Sequence, residues 1–222
     1  MDLTALWLSL RLALATVLLL APLGILVGRW LAYSDFRGKA LVEALVALPL
    51  VLPPTVLGYY LLIDFGAASP LGQAWQALFG RPLVFTFEAL LLASIIFNLP
   101  FAIQPMQRAF EAIAADVREA AQCCGMSPWQ VLRRIELPLA WPGILTALVL
   151  SFAHTLGEFG IVLMVGGSIP GETRTIAISI YDRVQAFDDV AAAKMSALLL
   201  AISMLAIGAT FYFSRRIGRR LG

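Results

Sequence analysis

Long apolar segments alternate with shorter polar segments along this chain, and the pattern predicts how it crosses a membrane. A helix that spans the hydrocarbon core needs about 20 predominantly apolar residues. Five stretches meet this length: 6–28, 41–63, 84–106, 140–165 and 191–213. The more polar segments are 29–40, 64–83, 107–139, 166–190 and the tail 214–222. We therefore expect an all-α membrane protein with five, or six, transmembrane helices.

The composition agrees with this fold class. Of the 222 residues, 60% are hydrophobic and only 14% are charged, whereas a soluble domain carries about 25% charged residues. We expect a single transmembrane domain over residues 1–222, with its core at about 6–213. The first apolar run lacks a basic leader and a small-residue cleavage site, so we interpret it as a retained span.

The positions of lysine and arginine predict the orientation. Most of them lie in segments 29–40, 107–139 and 214–222. The alternate segments contain few basic residues, namely Arg81, Arg174, Arg183 and, at the edge of the last span, Lys194. Because cytoplasmic loops are enriched in basic residues, we expect the N-terminus outside, the C-terminus in the cytoplasm and loop 107–139 in the cytoplasm.

The longest polar interruption runs from Glu119 to Pro138 and predicts two short helices joined by a corner. Ala120 and Ala121 favour helix, and Gly125 favours a helix end. A helix with small surface residues can enter a groove on another protein closely, which suits a segment that transmits force from a soluble partner. The alternative is an interfacial helical hairpin that only joins two spans, since small-residue helices are common.

The second helix of this corner has its own start and stop signals. Ser127 offers an N-cap oxygen, Pro128 fits the first helical position, and Pro138 predicts the end of the helix. Three apolar residues recur at helical spacing and predict one apolar face: Trp129, Leu132 and Ile135.

The spacing Glu-Ala-Ala, three residues, Gly, nine residues, Ile-x-Leu-Pro resembles the cytoplasmic signature of the membrane subunits of ABC importers. This chain matches it at Glu119, Ala120, Ala121, Gly125, Ile135, Leu137 and Pro138. In that family the loop docks into the ATP-hydrolysing subunit and is called the coupling helix. The resemblance implies a type I importer permease fold and an ATPase-coupling role for these residues, which we extend to Trp129.

Prolines in the second span predict a broken helix. Pro49, Pro53 and Pro54 each remove an amide donor and disturb the carbonyl four residues earlier. Within lipid such freed carbonyls are tolerated only against protein or a wet cavity. We hypothesise that Pro53, Pro54 and Thr55 lie at the translocation pathway. A packed structural kink is the alternative.

The fourth span is the most polar and predicts a second part of the pathway. Residues on one helix face are Ser151, His154, Thr155 and Glu158. Because an ionisable residue within a span is a functional hypothesis by default, we expect this face to line the pathway or its outer gate, with Ser151, Thr155 and Glu158 as the candidate pathway residues. The alternative is that Glu158 pairs with Arg174 or Lys194 near the outer surface.

Small and polar residues in two other spans predict packing contacts. Gly24 and Gly28, four residues apart, allow close helix contact, although incidental glycines near a helix end are an equal alternative. Asn98 is deep enough in its span to need a hydrogen-bond partner.

Several kinds of chemistry are not expected. The chain has no phosphate-binding loop, so we expect it to bind no ATP and no cofactor itself. It contains no serine–histidine–acid set and no metal-ligand cluster, so we do not expect an enzyme. The spans hold few charges, which disfavours a proton- or sodium-coupled carrier. The adjacent Cys123 and Cys124 make a poor disulfide, and we interpret them as reduced thiols near the corner that take no part in redox chemistry.

Three further segments narrow the resemblance to the molybdate permease subunits of bacterial ABC importers: Leu48–Tyr59, Leu156–Gly160 and Ile169–Thr175. This resemblance implies an inner-membrane homodimer that works by alternating access. It also implies two cytoplasmic ATPase subunits and an extracytoplasmic oxyanion-binding protein as partners, with no nucleic acid. The sequence does not distinguish tungstate from molybdate as the substrate. A sulfate or thiosulfate permease of the same family is the nearest alternative. A channel or carrier that works without an ATPase is the alternative from a different class of transport protein.

Overall fold

The computed structural model describes residues 2–221, with side chains up to Gly208. Its elements are α1 (Leu3–Tyr33), α2 (Lys39–Val51), α3 (Pro54–Phe65), α4 (Pro70–Phe79), α5 (Phe87–Glu111), α6 (Ala115–Cys123), α7 (Pro128–Val131), a π-helical turn (Leu132–Glu136), α8 (Leu137–Gly157), α9 (Gly160–Gly166), α10 (Ile176–Gln185) and α11 (Asp189–Leu221). Residues 2–221 contain no strand, which confirms the all-α prediction. The basic side chains of the tail 214–222 lie outside the described residues.

Within the described residues, four helices are long and apolar enough to cross a membrane: Leu3–Tyr33, Phe87–Glu111, Pro128–Gly157 and Asp189–Gly208. Helices α2 and α3 meet this criterion only as a pair, with an angle of 109° between them, and counting that pair as one broken span gives five spans. Leu52 and Pro53 between them are extended, with ψ values of 135° and 136°. Because Pro53 has no amide hydrogen to continue the α2 ladder, the helix breaks here, as the sequence predicted.

Helices α1, α5 and α8 pack against one another to form the centre of the fold. At the crossing of α1 and α5, a Cβ on Gly24 would lie 2.7 Å from Met106 Sδ, and a Cβ on Gly28 would lie 3.0 Å from the backbone nitrogen of Gln107. A side chain at either position would force its neighbours to shift, so the two helices approach closely here, which confirms the contact that the spacing of Gly24 and Gly28 predicted.

Further helices pack against this centre. Helices α3 and α9 pack on the N-terminal half of α5 around Phe65, Phe97 and Val165. Helix α11 packs on α8 and α10. The start of α10 is held to α1, because Ser9 Oγ accepts a hydrogen bond of 2.8 Å from the backbone N–H of Ile176.

Pro138 does not end a helix, and that prediction is wrong. The π-helical turn Leu132–Glu136 joins α7 to α8, so that one helix runs from Pro128 to Gly157. The amide of Leu137 reaches back five residues to the carbonyl of Leu132. A wider turn of this kind accommodates a proline at the next position, which has no amide to donate.

The fourth predicted span is not one continuous helix. Helix α8 ends at Gly157, Glu158 has an extended ψ of 128°, and α9 begins at Gly160. Glu158 therefore does not lie on the same helix face as Ser151, although its spacing predicted this, because it follows the end of α8. Its carboxylate Oε1 accepts a long hydrogen bond of 3.4 Å from the amide of Ile161, which supplies a partner for the first turn of α9.

Candidate functional site

A solvent-exposed corner joins α6 to α7, and its local sequence fixes its shape. Gly125 has a φ of +78°, a conformation that residues with a Cβ rarely adopt. Ser127 Oγ accepts from the amide of Gln130 at 3.4 Å, and Gln130 Oε1 accepts from the amide of Ser127 at 2.8 Å. This reciprocal capping box starts α7 at Pro128. The predictions that the first helix ends near Gly125 and that the second begins at Ser127 and Pro128 are therefore both confirmed.

The predicted coupling residues divide into an outer and an inner set. Glu119, Ala120, Gly125, Trp129 and Pro138 are exposed, and Trp129 reaches 66% exposure. Ala121 is buried, and Ile135 and Leu137 are half-buried. Trp129 does not share a buried face with Leu132, which is 8% exposed. A large aromatic side chain is therefore presented to the surroundings beside the small residues of α6.

Glu136, in the π-helical turn, anchors this corner to the membrane helices. Its side chain is fully buried and binds two arginines. Arg29 Nε of α1 lies 2.5 Å from Glu136 Oε2, and Arg118 Nε of α6 lies 3.1 Å from Glu136 Oε1. A buried carboxylate needs such partners because desolvation makes an unpaired charge costly. We call Arg29, Arg118 and Glu136 the arginine clasp.

Tyr33 ties the clasp to a further helix. The guanidinium carbon of Arg118 lies 3.4 Å from the centroid of the Tyr33 ring, and that of Arg29 lies 5.6 Å from it. The Tyr33 hydroxyl donates a hydrogen bond of 3.0 Å to the backbone carbonyl of Phe110 in α5. The clasp therefore connects α1, α5, α6 and the start of α8, and any displacement of α6 must move or break it.

A second candidate site is a cavity of about 640 Å³ between the two helix breaks. It is lined by Pro54, Thr55, Phe97, Ala153, His154, Gly157, Glu158, Phe159 and Gly160. A Cβ on Gly160 would lie 3.0 Å from Pro54 Cβ, so the break in α2–α3 touches the break in α8–α9. We call this space the break cavity.

The structure brings only part of the predicted pathway set to the break cavity. Pro54, Thr55 and Glu158 line it, and Pro53 is the residue that precedes α3. Ser151 and Thr155 are buried and do not line the cavity, and Thr155 Oγ1 accepts a hydrogen bond from Asn98 of α5. The alternative pairing of Glu158 is not found: Arg174 Nε lies 3.6 Å from Asp182 Oδ2, and Glu158 has no ion pair within the described part of the chain.

Asn98 organises the wall of the break cavity. It is fully buried, and its Nδ2 donates to the backbone carbonyl of Ser94 at 2.8 Å and to Thr155 Oγ1 at 3.1 Å. Its Oδ1 lies 3.1 Å from Nδ1 of His154. The predicted need of Asn98 for a partner is therefore confirmed, with partners on two helices.

Sequence reasoning missed the arginine clasp and the role of Asn98 as a holder of His154. Arg29 and Glu136 are 107 residues apart, so no local spacing pairs them. The available signal was chemical: Glu136 sits among apolar residues at the point where the polar segment re-enters a span.

Comparisons with known proteins agree with this architecture. Residues 21–219 match the model of the family described as "Binding-protein-dependent transport system inner membrane component". The chain is 46% identical to the molybdenum transport system permease protein ModB of Azotobacter vinelandii over 97% of this chain and 95% of that protein. It is 31% identical to the sulfate transport system permease protein CysT of Escherichia coli strain K12 over 89% of this chain and 71% of that protein.

A solved structure of the MetNI methionine ABC transporter in an inward-facing conformation has a chain with the same fold. The TM-score is 0.75 at 18% sequence identity, over 97% of this chain and 95% of that chain. The relatives are named as permease proteins of transport systems and not as enzymes. The chain is thus an integral membrane protein with the type I ABC importer permease fold, and it belongs to the family of inner-membrane components of binding-protein-dependent transport systems.

Proposed function

We propose that this chain is the permease subunit of an ATP-driven importer of molybdate, delivered by an extracytoplasmic binding protein. The observation that carries the proposal is the 46% identity to a molybdenum permease along almost the entire length of both chains. The lower identity to a sulfate permease, 31%, keeps sulfate as the second candidate substrate. Tungstate, which shares the shape and charge of molybdate, is expected to be carried as well.

The break cavity supports a role in translocation. Broken helices within a membrane are tolerated where their free backbone groups face protein or a wet cavity, and discontinuous helices form substrate sites in other transporters. Among the described residues, those that line the cavity include no lysine or arginine. A dianion would be held weakly there, which favours release and leaves the selection of substrate to the binding protein.

The exposed corner supports an ATPase-coupling role for Glu119, Ala120, Ala121, Gly125 and Trp129. A small-residue helix with an adjacent exposed aromatic side chain is suited to a groove on a soluble partner. Ile135, Leu137 and Pro138 would join that corner to α8. In this proposal the corner faces the cytoplasm, the N-terminus is outside, and ATP is bound by two separate ATPase subunits.

Transport in this proposal proceeds by alternating access in a homodimer, with this chain as a single permease domain in each copy. ATP binding draws the two corners together and opens the pathway outward, and hydrolysis returns it to the inward-facing state. The break cavity of one copy is open on one side, and a second copy packed over α2 and α3 would enclose it. Pro53, Pro54, Thr55 and Glu158 would then lie at the pathway between the copies.

Uptake by the reconstituted complex tests this function. Proteoliposomes that contain this chain, its ATPase and its binding protein should accumulate radiolabelled molybdate only when ATP is present. Unlabelled tungstate should compete, and sulfate should compete far less. Glu119→Lys should abolish ATPase binding and uptake together. Equal uptake by the permease alone without ATP would instead identify a stand-alone channel or carrier, and stronger competition by sulfate would reassign the substrate.

A further inference from the structure

The break cavity contains a histidine whose orientation is fixed by its neighbours. The His154 ring is stacked against Phe101, with ring centroids 4.1 Å apart, and lies 4.9 Å from the centroid of Phe97. Its Nδ1 is held by Asn98. The contacts with two aromatic rings and the hydrogen bond to Nδ1 restrict rotation of the His154 ring, so its two nitrogens face different surroundings.

The hydrogen bonds of Asn98 determine which nitrogen of His154 carries a proton. The backbone carbonyl of Ser94 can only accept, so the Asn98 atom that faces it at 2.8 Å must be the amide nitrogen. The other amide atom, Oδ1, can only accept, and it lies 3.1 Å from His154 Nδ1. His154 Nδ1 therefore carries a hydrogen and donates it to Asn98.

This assignment leaves His154 Nε2 as the polar ring atom available to the break cavity. It has no hydrogen-bond partner in the part of the chain that the structure describes. In neutral imidazole with a hydrogen on Nδ1, Nε2 has a lone pair, whereas in imidazolium it is a second donor. Only the imidazolium form donates to an oxyanion, and a dianion beside the ring favours that form.

We propose that His154 contacts the translocated tetrahedral oxyanion, and that Nε2, protonated when the anion enters the break cavity, donates a hydrogen bond to one of its oxygens. The inference rests on the proposed function. Among the described residues that line the cavity, Glu158 is the other ionisable one, and the lining residues from α3 and α5 carry no charge. A single cationic donor opposed by Glu158 holds the anion long enough to pass it on without trapping it.

Two substitutions separate anion contact from a purely structural role of His154. The amide nitrogen of asparagine can occupy the position of Nδ1, so His154→Asn keeps the donor to Asn98 and removes the group at Nε2. The amide nitrogen of glutamine can occupy the position of Nε2, so His154→Gln keeps a donor in the cavity and loses the one to Asn98. Both variants lose the stacked ring equally.

The measurement is ATP-driven uptake of radiolabelled molybdate by proteoliposomes that contain the complete complex, alongside ATPase stimulation by the loaded binding protein. His154→Asn should lower the initial uptake rate on the order of tenfold, the equivalent of one charge-assisted hydrogen bond, while ATPase stimulation persists. His154→Gln should retain most of the uptake.

Three results would overturn the assignment: unchanged uptake in both variants, an equal loss in both, or a loss in His154→Gln alone, which would place the role of His154 in the Asn98 network. The wild-type complex in the same vesicles tests the proposed function separately. If it takes up no molybdate, the proposed substrate fails, and the assignment of His154 to that anion fails with it. If wild-type uptake is normal, a failed variant comparison overturns the role of His154 alone.

Discussion

Replacing Glu136 by glutamine should loosen the corner from the membrane helices. The substitution keeps the shape of the side chain but removes the charge that binds Arg29 and Arg118. Glu136 is fully buried, whereas the side chains of the two arginines retain 29% and 25% exposure. The uncompensated arginines can therefore recover part of their hydration.

The free-energy cost of the substitution can be estimated from the burial of the three side chains. Breaking a fully buried ion pair costs about 3–5 kcal/mol, and the partial exposure of the arginines places this case at the lower end, at about 3 kcal/mol. That energy corresponds to a shift of about two orders of magnitude in the equilibrium for opening the clasp. Amide hydrogens of α6 should therefore exchange up to about 100-fold faster, while those of α5 in the middle of the bundle change little.

A matched control lies elsewhere in the chain. Arg81 and Glu88 form an ion pair of 2.8 Å whose side chains are 53% and 36% exposed. Exposed pairs contribute about 0–1 kcal/mol, so Glu88→Gln should leave amide exchange almost unchanged. In the reconstituted complex, Glu136→Gln should also lower the amount of molybdate taken up per ATP hydrolysed. Movement of the corner would no longer be transmitted fully to the membrane helices. Exchange in α6 no faster than in Glu88→Gln would refute this account of the clasp.

Three further predictions test the corner and the cavity wall. Gly125→Ala should lower the free energy of unfolding by about 1 kcal/mol because φ is +78° there. Gly208 lies inside α11 with open space around it, so Gly208→Ala should raise the free energy of unfolding by up to about 1 kcal/mol. Chemical unfolding in detergent measures both changes, and equal effects of the two substitutions would contradict the argument. A membrane-impermeant maleimide should label the exposed Cys123 and Cys124 from the cytoplasmic side only and more slowly once the ATPase is bound, and labelling from outside would reverse the proposed orientation. Asn98→Ala should lower the unfolding free energy by about 1–3 kcal/mol because it leaves buried polar groups unpaired, and a neutral effect in the same assay would show that the amide is dispensable.

Local signals in the sequence predicted the parts of the fold that depend on neighbouring residues. Gly125 and Ser127 shape the corner through backbone conformation and capping, which act within four or five residues. Pro53 breaks its span for the same local reason. Where a local rule was wrong, at Pro138, the chain accommodated the proline by widening one turn to a π-helical geometry.

The sequence by itself determined that this chain is a helical membrane protein with a polar corner, one span broken by prolines and one unusually polar span, because span length and helix punctuation are local properties. Only the tertiary structure decided that the interruptions at Pro53 and Glu158 meet in one cavity, and that Asn98 fixes the orientation of His154. It also decided that Glu136 binds Arg29, a residue 107 positions away. The physical reason is that such contacts follow from how whole helices pack, and helix packing depends on the complementarity of complete faces, which no short stretch of residues encodes.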